Sequence, residues 1–321
     1  MKAQLFMEIG QPLQVQDVPE PNQTDEGVIV HLRAASLNHR DNWILKGQYP
    51  GLQPGTIIGS CGAGVTSDGR EVIINPNRNW GDDDRFPGKN YQILGMPIDG
   101  TFAEQIAVQS DRLVEKPAHL SFEQAAALPL AGMTAWRALM TRAEFRPSDK
   151  VLISGIGGGV ALFAFQFAVA AGADVYVTSS SAEKIAKSIE MGGKGGANYR
   201  DEKWSKPFMK ETGGFDVIID SAGGSGFADL VKLTKSGGRI ALYGGTRGNW
   251  AGVSPQLVFF RQLSILGSTM ATDQEFADMV AFVNQHKMVP VVDSVFSLEN
   301  AAEAMAHMDA GNQFGKIVLT I

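Results

Sequence analysis

The sequence predicts an α/β protein, built on a doubly wound parallel sheet with helices on both faces and preceded by a second, mainly β region. Three observations carry this. The run Val151-Leu-Ile-Ser-Gly-Ile-Gly-Gly-Gly-Val-Ala161 takes an apolar strand into a glycine-dense turn and out into the apolar, helix-period segment 160–171. Strand-like and helix-like segments then alternate, which implies parallel strands joined by crossover helices. Up to about residue 120 the pattern is instead short strands broken by turns.

In chain order, residues 27–33 alternate as a half-buried strand should, and 71–75 read as another. Pro12, Pro19, Pro21, Pro50, Pro54 and Gly55 punctuate this region. Residues 77–91 read as a long polar loop whose Asp82-Asp83-Asp84 lacks ligand spacing and fits solvated carboxylates better than a divalent cation site. The pattern turns helical from 121 to 139, with Ser121, Glu123 and Gln124 as the start signal. Strands are expected at 151–154, 174–178, 197–199, 215–220, 239–243 and 264–267, with helices at 160–171, 183–190, 203–211 and 227–235. A helix near 275–285, a strand-like run at 289–292, a helix around 299–308 and a closing strand at 315–321 follow, the last returning to the first region. No internal repeat is present.

Composition narrows the function classes. A chain of 321 residues that is 44% hydrophobic buries a substantial core and divides into two domains. The net charge of −6 argues against nucleic acid or an anionic membrane as partner. The single cysteine, Cys61, excludes an intramolecular disulfide and a multi-cysteine zinc site, and reads as a small buried residue. The first residues show no signal-peptide pattern, and the longest apolar stretch is too short for a membrane span. The expectation is a soluble, cytoplasmic protein.

The glycine turn points to a dinucleotide. Backbone approaches a pyrophosphate closely only where side chains are missing, and the following helix N-terminus offers free N–H groups and a favourable dipole. The strand from Asp174 ends in Ser179-Ser180-Ser181, with Lys184 beyond and no carboxylate to meet a ribose 2′-hydroxyl. Hydroxyls and a cation suit a 2′-phosphate, so NADPH is expected. The same serines also read as an N-cap for the helix carrying Lys184, and both roles are compatible.

With these features in place, the chain resembles the medium-chain dehydrogenase/reductase superfamily, and in particular its zinc-less, quinone-oxidoreductase-like branch. The resemblance rests on Ala34-Ala-Ser-Leu-Asn38-His-Arg-Asp41, Lys46-Gly-Gln-Tyr49-Pro, Gly59-Ser-Cys-Gly-Ala-Gly-Val65, Gly100-Thr-Phe-Ala-Glu104, Leu128-Pro-Leu-Ala-Gly-Met-Thr134-Ala-Trp and the glycine turn, and it runs end to end. It implies a GroES-like catalytic domain over 1–124 and 269–321 and a Rossmann domain over 125–268. It also marks where a catalytic zinc would sit. Asn38 replaces one cysteine ligand, Gly59-Ser60-Cys61 replaces Gly-His-Glu, and Leu130 replaces a second cysteine. The loop 75–100 stands in place of the four-cysteine lobe. A catalytic site needs about three Cys, His or carboxylate ligands, so a metal-free enzyme is expected. The chain departs from the family pattern at Ala161, the last position of the turn, and at Trp43, where quinone reductases often carry tyrosine.

By resemblance, Asn38 lies near the nicotinamide amide, and Tyr49 lines the substrate pocket as proton donor or wall, water being the other proton source. Asn38 is able to orient a carboxamide or polarise a carbonyl. The remaining cofactor residues implied are Thr134, Gly158, Gly159 and Val160 near the pyrophosphate or nicotinamide, and Ser179, Lys184 and Tyr199 at the adenosine. Tyr243, Gly244, Gly267 and Ser268 follow the fifth and sixth strands, and Lys316 stands near the phosphates or as a strand-edge lysine. Asp41 caps the helix that follows or serves the site, and His39 stays outside the catalytic set. The activity implied is NADPH-dependent reduction of a quinone or an activated alkene such as an enone. An alcohol dehydrogenase or carbonyl reductase of the same superfamily, and a non-catalytic NADPH-binding sensor, stand as alternatives. A nucleophilic hydrolase is a poor fit, since no Gly-x-Ser-x-Gly elbow occurs. A homodimer formed through the sixth strand is expected from the family, and the apolar 263–266 is compatible with it.

Overall fold

A six-stranded parallel sheet organises residues 134–271, one of two compact units in the chain; the other comprises 1–133 and 272–321. The structure is a computed structural model and describes residues 1–22 and 27–321. The strands of the parallel sheet lie in the spatial order Gly195–Asn198, Asp174–Ser179, Lys150–Ile153, Phe215–Asp220, Thr234–Leu242, Ser264–Gly267, and every neighbouring pair is parallel. Numbered along the chain this is 3-2-1-4-5-6, the order of a Rossmann sheet. Its central strands are continuous apolar runs because both faces are covered: Val151, Leu152 and Ile153 are fully buried. Helix Gly159–Ala170 is apolar all round and buries seven of its residues, whereas Ala182–Glu190 is amphipathic and begins at Ser181, whose hydroxyl accepts the Lys184 N–H.

The other unit is mainly β, the α/β class thus being completed by a GroES-like domain. Strand Gly27–Ser36 is its spine, pairing antiparallel with Cys61–Thr66, Gln105–Gln109 and Lys316–Thr320. Lys316–Thr320 in turn pairs with Val292–Ser297, so the last strand does return to the first region. Phe6, Ile44, Phe102, Met305, Ile317 and Leu319 belong to one buried apolar cluster of this unit.

Some boundaries differ from expectation. The strand expected at 289–292 begins only at Val292, because Pro290 lacks the N–H a ladder needs and the preceding helix closes with Lys287 in a left-handed conformation (φ 51°). Helix Phe227–Leu233 stops before 235, since Thr234 is already extended, pairs with Phe215 and starts a strand that passes through a register shift to Arg239. The helical stretch 121–139 is two helices, Phe122–Ala127 and Pro129–Trp136, followed by a π-helical turn, Arg137–Arg142; Pro129 lacks the N–H that would join the first two. In the polar loop, Asp83 is engaged by Arg85 at 2.7 Å, which holds its carboxyl pKa down at about 2. Among the described residues no helix is long and apolar enough to cross a membrane.

Candidate functional site

The residues singled out from the sequence fall into two sets, one in each unit.

In the Rossmann unit, strand Lys150–Ile153 runs into a turn in which Gly155 and Gly157 have φ of +69° and +136°, conformations that side chains rarely adopt. The turn is fastened to the end of the neighbouring strand: Gly155 N–H donates to Thr178 Oγ1 (3.1 Å) and Ile156 N–H to Thr178 O (2.8 Å). Helix Gly159–Ala170 starts with Gly158 as its cap, so no side chain satisfies its first N–H groups. Gly158, Gly159 and Val160 are partly exposed, and a Cβ built on Gly158 meets nothing within 4 Å. The result is a bare cradle of N–H groups at a helix N-terminus, suited to a pyrophosphate.

Around the carboxyl ends of the strands the structure leaves polar atoms without partners. Ser268 Oγ, just past the sixth strand, and Asp220 Oδ1, at the end of the fourth, are buried and make no hydrogen bond. Asp220 Oδ2 accepts from Gly223 N–H at 2.9 Å. Tyr243 stands beside them with its hydroxyl bonded to Ser221, and burial pushes that hydroxyl's pKa up. Gly244 lies so near the chain that an added Cβ would come 3.0 Å from Ser221 O, and Gly267 is open. Thr134 is buried, its hydroxyl 3.9 Å from Met270 Sδ. Orphaned polar atoms and an open cradle are what an absent dinucleotide would complete, so these residues fit a nicotinamide cofactor.

At the end of the second strand, Ser179 is buried and its Oγ accepts from Ser181 N–H (3.1 Å), while Ser181 caps the helix of Lys184. The serines therefore do act as local caps. Tyr199 N–H donates to Ser179 O at 3.1 Å, which brings together two of the three residues expected at the adenosine. Arg247, which no sequence signal marked, joins them by stacking its guanidinium 5.2 Å over the Tyr199 ring.

In the GroES-like unit, Asn38, Cys61 and Leu130 converge. Asn38 Nδ2 donates to Cys61 Sγ (3.3 Å) and to Ser36 O (3.4 Å), and Leu130 N–H donates to the same sulfur at 3.2 Å. Asn38 Oδ1 accepts from Lys316 Nζ at 2.7 Å, and Lys316 also donates to Leu37 O. Lys316 thus does not stand at a strand edge in solvent; it is buried, and burial holds its pKa below the usual lysine value. Asp41 caps helix His39–Leu45 by accepting Asn38 N–H at 2.8 Å, and its complete burial raises its carboxyl pKa. His39 is exposed.

Arg40 is the residue the sequence did not bring forward. Its buried guanidinium donates to Ser60 Oγ, Leu94 O (2.7 Å), Met96 O (3.2 Å) and the Tyr49 hydroxyl (3.3 Å), and lies 4.7 Å over the Tyr49 ring. All four acceptors are neutral, and this part of the unit holds a buried guanidinium, Arg40, a buried lysine, Lys316, and a buried carboxyl group, Asp41.

The set does not fit zinc. Of the positions 38, 60, 61 and 130 only Cys61 carries a side chain of the ligand kind, and its sulfur already accepts two N–H groups. Among the described residues no group of three His, Cys, Asp or Glu is placed to hold a metal ion.

Comparison with known proteins adds the following. The family profile described as Zinc-binding dehydrogenase matches residues 159–285, and that described as Alcohol dehydrogenase GroES-like domain matches residues 24–118. A Leptosphaeria maculans protein described as Zinc-type alcohol dehydrogenase-like protein YogA is 34% identical, over 97% of this chain and 95% of its own length. A solved structure of an NAD-dependent alcohol dehydrogenase superposes with a TM-score of 0.95 at 37% identity, covering 100% of both chains. The quinone oxidoreductase from Thermus thermophilus, solved also as its complex with NADPH, gives a TM-score of 0.85 at 28% identity, again covering 100% of both chains.

Proposed function

The chain belongs to the medium-chain dehydrogenase/reductase superfamily as an oxidoreductase with a nicotinamide cofactor, and on that premise we propose that it is a zinc-independent, NADPH-dependent reductase of a quinone or an activated alkene such as an enone. The observation that carries this reading is the make-up of the GroES-like site: the family's metal positions are closed by hydrogen bonds around Cys61, and the buried Arg40 guanidinium stands nearby. Reduction of a conjugated carbonyl gathers negative charge on oxygen, and fixed positive groups in a low-dielectric site stabilise it without reorganising.

A bound dihydronicotinamide supplies the hydride. In the Rossmann unit, Gly158, Gly159 and Val160 hold the pyrophosphate, and Ser179, Lys184 and Tyr199 hold the adenosine with its 2′-phosphate. Thr134, Tyr243, Gly244, Gly267 and Ser268 line the remaining length. In the GroES-like unit both Asn38 amide hydrogens are engaged, by Ser36 O and Cys61 Sγ, and Oδ1 is left as the acceptor side of the amide, facing Lys316. That favours Asn38 as the acceptor that orients a carboxamide N–H over the role of polarising a carbonyl. Lys316 fixes which way this amide faces. Tyr49 accepts from Arg40 and so keeps its own hydrogen to donate to a substrate oxygen. A second copy of the chain is the expected partner, pairing through strand Ser264–Gly267.

The test is NADPH oxidation by purified, chelator-treated protein against matched quinones, enones and simple aldehydes, with zinc measured in the same sample. Turnover of quinones or enones without stoichiometric zinc is expected. Turnover confined to aldehydes and restored by zinc would favour an alcohol dehydrogenase or carbonyl reductase, the reading that the first of the two solved structures invites. Tight NADPH binding without turnover of any acceptor would favour a sensor.

A further inference from the structure

We propose that Arg247 is a specificity-determining residue of the cofactor site, a second cation that reads the 2′-phosphate of NADPH beside Lys184; this rests on the NADPH reading above. The main chain at Arg247 is anchored beyond the fourth strand of the parallel sheet: its N–H donates to Ala222 O (2.8 Å), and Gly224 N–H donates to Gly248 O (2.9 Å). Its side chain reaches Tyr199, beyond the third strand, with Nη2 at 3.4 Å from the hydroxyl and the guanidinium carbon 5.2 Å over the ring. In the sheet the first and second strands lie between the third and the fourth. The Arg247–Tyr199 pair therefore spans the carboxyl ends of Lys150–Ile153 and Asp174–Ser179. That is the edge of an open parallel sheet at which ligands bind.

Chemistry agrees with placement. A guanidinium has five N–H donors, and among the described residues only one of Arg247's is used, on Tyr199. Among the described residues no carboxylate pairs with it, although the protein carries a net charge of −6. Contact with the tyrosine ring and hydroxyl restricts the side chain and lowers the entropy lost when it binds a phosphate in two-pronged fashion. The hydroxyls of Ser179 and Ser181, each accepting one backbone N–H, offer a phosphate their hydrogens but no charge, and the fixed charge comes from cations.

The experiment is a fluorescence titration of the full-length protein with NADPH, NADH and 2′,5′-ADP, for the parent chain, Arg247→Ala, Arg247→Lys and Tyr199→Phe. Arg247→Ala is expected to weaken NADPH and 2′,5′-ADP about 10-fold more than NADH, and to flatten the salt dependence of NADPH binding. Arg247→Lys is expected to recover part of the loss, and Tyr199→Phe to show a smaller loss of the same kind. Equal weakening of NADPH and NADH by Arg247→Ala would overturn the proposal and reduce Arg247 to a loop contact. A parent protein that binds NADH as tightly as NADPH would overturn the NADPH reading itself, a failure visible before any variant is made.

Discussion

Gly158 separates what the fold needs from what the site needs. Its φ is −76°, ordinary for any residue, and an added Cβ has open space around it. Gly158→Ala is therefore expected to leave the thermal midpoint within about 2 °C of the parent, because no neighbour is displaced and the conformation is allowed. The methyl would nevertheless stand where backbone N–H groups must meet a pyrophosphate, and NADPH affinity is expected to fall about 10-fold, or about 1.4 kcal/mol. Parallel thermal melts and NADPH titrations check this, and a fall in both would mean that the turn itself rearranges. The GroES-like site behaves in the opposite way. Around Asn38 every contact is also structural, since Lys316, Cys61 and Asp41 hold the amide and the helix start together.

The strand and loops that carry Ser60 and Cys61 depend on a crossing of three chain segments at glycines. A Cβ on Gly100 would come 1.9 Å from Gly59 O and 2.7 Å from Gly95 Cα, and one on Gly95 would lie 2.6 Å from Gly59 O. Backbone cannot yield as a flexible side chain does, so Gly100→Ala is expected to destabilise by about 3 kcal/mol or to prevent folding. Urea denaturation measures it; a loss below about 1 kcal/mol would show that the crossing relaxes. Elements of this kind were hard to read from the sequence. The parallel strands were legible to within a residue or two in most cases, because a strand buried on both faces is a plain apolar run. The short strands Asn77–Arg78, Gln92–Leu94 and Pro97–Ile98 were not, since two or three residues carry no period. Helix Pro255–Phe260 is only six residues long, with Leu257 and Val258 packed partly against the core and Phe259 and Phe260 exposed, so no periodic pattern marks it. The same logic divides the site. Gly158, Ser179 and Ser181 were visible because each is read from its own turn, whereas Arg40 bonds to Leu94, 54 residues away, and Arg247 to Tyr199, 48 residues away.

Strand Ser264–Gly267 is the last of the parallel sheet and pairs on one side only, with Thr234–Leu242. Just before it, the rings of Phe259 and Phe260 lie 4.6 Å apart, tilted at 44°, while 54% and 79% exposed. An unpaired edge beside exposed aromatic surface is a liability for a lone chain, and a second copy removes it. Light scattering after gel filtration is expected to give a dimer, and Phe260→Asp to shift it towards monomer; a parent chain that stays monomeric at high concentration would refute the dimer. The closing strand has a further consequence, for biosynthesis. Residues 134–271 are continuous and are complete when the ribosome passes Ala271, whereas residues 34–36 wait for 318–320, nearly fifty residues later. At ordinary elongation rates that is roughly 2 to 10 seconds in which the second unit made is able to fold and the first unit made is not. During that interval Ile317 and Leu319 are missing from the apolar cluster around Phe6 and Phe102, so the nascent chain carries its greatest need for chaperone shelter at its oldest end.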